Sequence, residues 1–251
     1  MKHQSREQIL KLNQIFTNHL IQIQKAKHNP SDYAYKAGDE LLIEGSDKPL
    51  ILTQEKADEL NKEEQDFVDS YRDRNPFDQS SAIKWIGGYT LISSKTYVDE
   101  YLNDLSNSIE GLRNHLKSQN LIVIADWPTP WLAQENEYAP VKKALEFLKI
   151  IVSTDFDGGF LLNGEDLRAF IPHLFWLTRC NASLPDFLMA FENSKTIFSI
   201  CKYGILHIES YDQDELKAIN HYFKIKNFIE VDECIDPVDF DDFVGRWMNI
   251  N

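Results

Sequence analysis

The chain has 251 residues, 43 % of them hydrophobic, with 40 Asp and Glu against 26 Lys and Arg, for a formal net charge of −14. A surplus of that size repels nucleic-acid backbones and anionic lipid heads, and it draws basic partners by long-range steering. The apolar and aromatic content is ample for a buried core, while runs such as Leu121–Ala125 are far too short to cross a bilayer.

Ile9, Leu12, Phe16, Leu20 and Ile23 recur at steps of three and four and predict one helix over residues 5–27, ended by Asn29-Pro30. The run Leu41-Leu42-Ile43 reads as a short strand. Thr53 is placed to cap a helix running to about Arg72, and Asn75-Pro76 stops it. Gly87-Gly88 between β-prone flanks reads as a hairpin turn. A helix is expected over about 97–118, then a strand at Leu121–Ala125 covered on both faces. The Trp127-Pro128-Thr129-Pro130-Trp131 stretch must be extended. Pro140 suits the first turn of a helix reaching Ile150. A second hairpin is expected around Asp157-Gly158, a helix over 165–179, and a third hairpin with a two-residue turn at Tyr203-Gly204. Asp212 and Glu215 resemble a capping box for a helix to about Phe223, followed by a strand at Lys226–Val231. Hairpins interspersed with helices predict an α+β fold, a mainly antiparallel sheet packed against several helices. The chain reads as a single domain over 1–251, with 127–131 as the one place for a subdivision.

Cys180, Cys201 and Cys234 are odd in number and widely spaced, so no disulfide framework is expected. The first residues lead into an amphipathic helix without an apolar signal-peptide core, which predicts a cytoplasmic location. Asp155, Asp157 and Asp166 stand at calcium-loop spacing. The glycine such a loop needs at its sixth position is Phe160 here, and a hairpin turn explains the residues better. His173 and Cys180 lie two turns apart on one helix, about 10 Å along the axis, which excludes direct pairing. With a two-residue turn at Tyr203-Gly204, Ile200 sits opposite His207, and Cys201 and His207 face opposite sides of the sheet. No phosphate loop, zinc-protease helix, dinucleotide fingerprint or nucleophile elbow is present. The sequence therefore implies no metal and no cofactor.

Two acidic concentrations remain. Glu55, Glu59, Glu63, Asp66, Asp69 and Asp73 step along one predicted helix, at a cost of about 0.2–0.5 kcal/mol per like-charged pair. Near the C-terminus, Asp239-Phe240-Asp241-Asp242-Phe243 interleaves acid with aromatic anchors. Glu59, Glu63, Asp66, Asp69 and Asp73 together with residues 239–243 form the expected partner-binding surface. The reading that follows is an acidic protein–protein interaction module that occludes a basic partner. A toxin inhibitor of the immunity-protein kind, neutralising a nucleic-acid-cleaving toxin, has this character. Nucleic acid and membrane are not expected as partners. The alternative is a hydrolase or transferase built around Asp126, Trp127 and Trp131, at the end of the apolar strand, where carboxylates often act. A third reading is a scaffold subunit whose acidic faces are simply solvated.

Overall fold

The computed structural model describes residues 1–27, 34–42, 49–77, 84–95, 97–133, 135–180 and 186–234. Contacts divide it into two compact units, Met1–Leu20 with the chain from Asn75, and Ile21–Arg74. The 127–131 stretch falls inside the first unit.

The first unit is an α+β fold around an antiparallel sheet. Its eight strands are β1 (Lys2–Gln4), β4 (Gly87–Ser93), β5 (Leu121–Ala125), β6 (Gly159–Leu162), β7 (Phe187–Phe191), β8 (Thr196–Ile200), β9 (Leu206–Ser210) and β10 (Phe228–Glu230). They lie in the order β1-β6-β5-β7-β8-β9-β4-β10. β5 is buried along its whole length, as its unbroken apolar run requires. Along β9 the pattern alternates instead: Leu206, Ile208 and Ser210 are buried, while His207 and Glu209 are half-buried.

Helices α4 (Val98–His115), α5 (Ala139–Lys149), α6 (Gly164–Cys180) and α7 (Gln213–Ile225) supply the main core with Leu105, Leu145, Phe170 and Phe223. Their ends are set by local chemistry. Pro140 occupies the first turn of α5. The Asp212 carboxylate accepts from the amides of Asp214 and Glu215 at the start of α7. Glu215 completes no capping box there, because its carboxylate accepts from Ser194 Oγ and the Lys195 amide.

Three local expectations are corrected. The first helix breaks into α1 (Arg6–Leu10) and α2 (Gln14–Lys27). Asn13 causes the break: its Oδ1 accepts from the Phe16 amide at 3.0 Å, and its Nδ2 donates to the carbonyls of Phe191 and Ser194 at 3.1 and 2.8 Å. The glycines Gly87 and Gly88 form no turn; both lie within β4, and a Cβ on Gly88 would run into the Ile208 carbonyl oxygen. Asp157-Gly158 joins no hairpin either, since residues 150–152 leave α5 in a turn and β6 pairs with β1 and β5. The hairpins of this sheet are β7–β8 and β8–β9.

The second unit carries a two-stranded ribbon of β2 (Glu40–Leu41) and β3 (Leu50–Ile51), and the helix α3 (Gln54–Tyr71). Thr53 caps α3, its hydroxyl accepting from the Lys56 amide. Asn61 ties the 34–36 segment to this helix by exchanging two hydrogen bonds with the Tyr35 backbone, at 2.8 and 2.9 Å. Leu42 is exposed, so the strand expected at 41–43 is only a ribbon edge at Leu41; Ile43 lies outside the described residues. No helix among the described residues is long and apolar enough to cross a membrane.

Candidate functional site

Helix α3 carries seven acidic side chains against two lysines. Much of its stripe is paired locally. Lys56 Nζ lies 2.7 Å from Glu59, Lys62 Nζ 2.8 Å from Asp66, and Arg72 3.2 Å from Asp69. Asp73 lies beyond the helix end, where its carboxylate accepts from Gln24 Nε2 at 2.6 Å and its amide donates to Gln24 Oε1. Glu63 forms no salt bridge among the described residues. One turn on from it, the Phe67 and Tyr71 rings meet at a tilt of 45° with centroids 4.8 Å apart, and they are 57 % and 47 % exposed. Spacings of three and four place Glu63 and Glu64 beside Phe67 on the helix surface. The aromatic component that the sequence locates at Phe240 and Phe243 thus has a counterpart on α3 itself. Residues 239–243 lie outside the described residues.

Around Asp126 the geometry is that of a core edge. Trp131 is 1 % exposed, stacks on Phe187 with centroids 4.5 Å apart, and donates its indole N–H to the Gly158 carbonyl at 2.9 Å. Its ring is unavailable for stacking on a ligand. Asp126 is 5 % exposed, and Trp127 is half-buried. His173 stacks on Phe147 at 4.3 Å, as a packed helix histidine does.

The third hairpin brings together residues that the sequence reading separates. Ser199, not Ile200, pairs with His207, and the Cys201 amide donates to the Ile205 carbonyl. The turn therefore has three residues, Lys202, Tyr203 and Gly204, with Gly204 at φ +77° and its amide returned to the Cys201 carbonyl. A one-residue change of register moves a side chain to the other face. Cys201 and His207 consequently share a face, and Cys234, which follows β10, joins them. Cys234 Sγ is 3.2 Å from His207 Nε2, and the ligand atoms of all three lie within 4.8 Å of one another. Cys201 and Cys234 are free thiols. Burial, with Cys201 beside it, pushes the Cys234 thiol up to about 11. Burial also holds His207 below its ordinary value, opposed by the charge of Asp186.

His207 is shared with a groove of about 410 Å³ that includes Trp85, Thr90, Glu209, Glu230 and Asp232. The groove opens on the face of β4 and β9 opposite the core helices, since Leu206 and Ile208, which alternate with His207 and Glu209, belong to the core. Burial raises the Glu209 carboxyl, and a hydrogen bond from Trp85 opposes it.

Comparison with known protein families, curated proteins and solved structures finds no match to this chain.

Proposed function

We propose that this protein is an acidic docking module that engages a basic protein partner through α3. The observation that carries the reading is the exposed Phe67–Tyr71 pair on a helix of strongly negative charge. Aromatic anchors supply the apolar area that concentrates binding energy, while surrounding carboxylates govern approach and orientation. The ion pairs along α3 leave this intact. Exposed pairs of this kind are worth about 0–1 kcal/mol, so a partner's Lys or Arg can replace Lys56 or Lys62 at little cost. The charge fits best a partner whose own site is electropositive, as that of a nucleic-acid-cleaving toxin is, which makes this chain its inhibitor in the manner of an immunity protein.

Affinity capture on the immobilised protein, followed by association kinetics at several salt concentrations, tests the reading. The expected partner is basic, and its association rate falls steeply as salt rises. A salt-independent rate overturns the proposal.

A further inference from the structure

We propose that Cys201, His207 and Cys234 form a binding site for one zinc ion, at the end of the groove between β4 and β9. The site is separate from the α3 docking surface and does not depend on it.

Three features of the geometry support this. First, the donor set is two thiols and one imidazole, the soft and borderline ligands that select zinc over calcium or magnesium. Second, the spacing fits. Tetrahedral zinc with its ordinary bond lengths requires ligand atoms separated by about 3.5–3.8 Å. Here Cys234 Sγ and His207 Nε2 are 3.2 Å apart, and all three ligand atoms lie within 4.8 Å of one another, so rotamer adjustments alone bring them onto one ion. Third, the fold fixes the ligands from two separate places, the β8–β9 hairpin and the segment that follows β10. Cys201 leaves β8 at a three-residue turn, His207 stands within β9, and Cys234 follows β10.

That turn is itself held in place. The Tyr101 hydroxyl donates to the Gly204 carbonyl, and the Thr90 hydroxyl donates to the carbonyl of Val231, three residues before Cys234. The site is therefore assembled by the fold before any ion arrives, which lowers the ordering cost of binding. Asp186 and the groove carboxylates Glu209, Glu230 and Asp232 add a negative field that favours a divalent cation.

Three protein ligands leave a fourth tetrahedral position. Structural zinc sites close that position with a fourth side chain, whereas sites that exchange water or bind a small ligand keep it open. Because His207 belongs to both the triad and the groove, a ligand lying in the groove can reach the ion.

The test is metal content of the full chain, purified under reducing conditions without chelator and then exposed to stoichiometric zinc. About one ion per chain is expected, released when a mercurial reagent titrates the thiols. Substituting cobalt for zinc is expected to give a thiolate-to-cobalt charge-transfer band and the intense visible absorption of a tetrahedral site. C201S, C234S and H207Q should each abolish stoichiometric binding, whereas C180S should retain it. The cobalt spectrum of the unaltered protein decides the matter even where a variant fails to fold. Absence of bound metal, metal retained in the C201S/C234S double variant, or a Cys201–Cys234 disulfide in rapidly alkylated native protein would each overturn the proposal.

Discussion

His19 Nδ1 lies 2.7 Å from the Tyr211 hydroxyl, and the two rings meet edge to face. Both groups belong to the first unit, and His19 is only 6 % exposed. Burial lowers His19 to about 4 and raises Tyr211 to about 12, so at neutral pH the imidazole is uncharged and the phenol keeps its proton.

This pair gives the protein an acid-sensitive joint. Between the folded value near 4 and the ordinary value near 6.5, the unfolded chain binds a proton that the folded chain does not. Stability from this group is complete above about pH 6.5, declines as pH falls through that window, and is spent below about pH 4, a total of ~3 kcal/mol. Urea unfolding at several pH values should show this slope. H19N, which keeps an acceptor for Tyr211 but does not titrate, should flatten it.

Gly87 and Gly88 are adjacent in sequence, but the structure makes different demands on them. A Cβ on Gly88 would collide with the Ile208 backbone, whereas one on Gly87 would meet Leu216 Cδ2 at an ordinary 3.6 Å. Gly88→Ala should therefore force the β4–β9 ladder apart and cost about 1–3 kcal/mol. Gly87→Ala should be neutral or stabilise by about 0.4–1 kcal/mol through the unfolded state. Thermal unfolding of the two variants side by side checks the contrast.

Trp131→Ala should destabilise by about 3–5 kcal/mol, because it empties the space between Phe160, Phe170 and Phe187 and orphans the Gly158 carbonyl. A variant of unchanged stability would return Trp131 to the surface and to the ligand-stacking role that the core geometry denies it.

Local chemistry made several elements legible in the sequence. Thr53, Pro140 and Asp212 mark helix starts that the structure places where the residue types require. The unbroken Leu121–Ala125 run identifies a fully buried interior strand. What the sequence leaves hidden depends on tertiary contact. Asn13 ends a helix only because the carbonyls of Phe191 and Ser194 sit beside it. The Cys201–His207 neighbourhood depends on whether one turn has two residues or three. A signal for three existed: a two-residue turn would ask Tyr203 to adopt a positive φ, whereas Gly204 fits the left-handed place that ends a three-residue loop. No local pattern marks the arrival of Cys234 from beyond β10.

The most direct test of the docking account is paired capture from a lysate of the source cells, with F67S/Y71S and E63K/E64K variants beside the unaltered protein. Phe67 and Tyr71 are about half exposed and Glu63 and Glu64 are exposed, so both variants should stay folded, which thermal unfolding of each beside the unaltered protein checks. A basic protein held by the unaltered chain and lost by both variants, with association slowed roughly tenfold or more for E63K/E64K, is the expected result. Equal capture by all three proteins, or a retained partner that is itself acidic, would contradict the account.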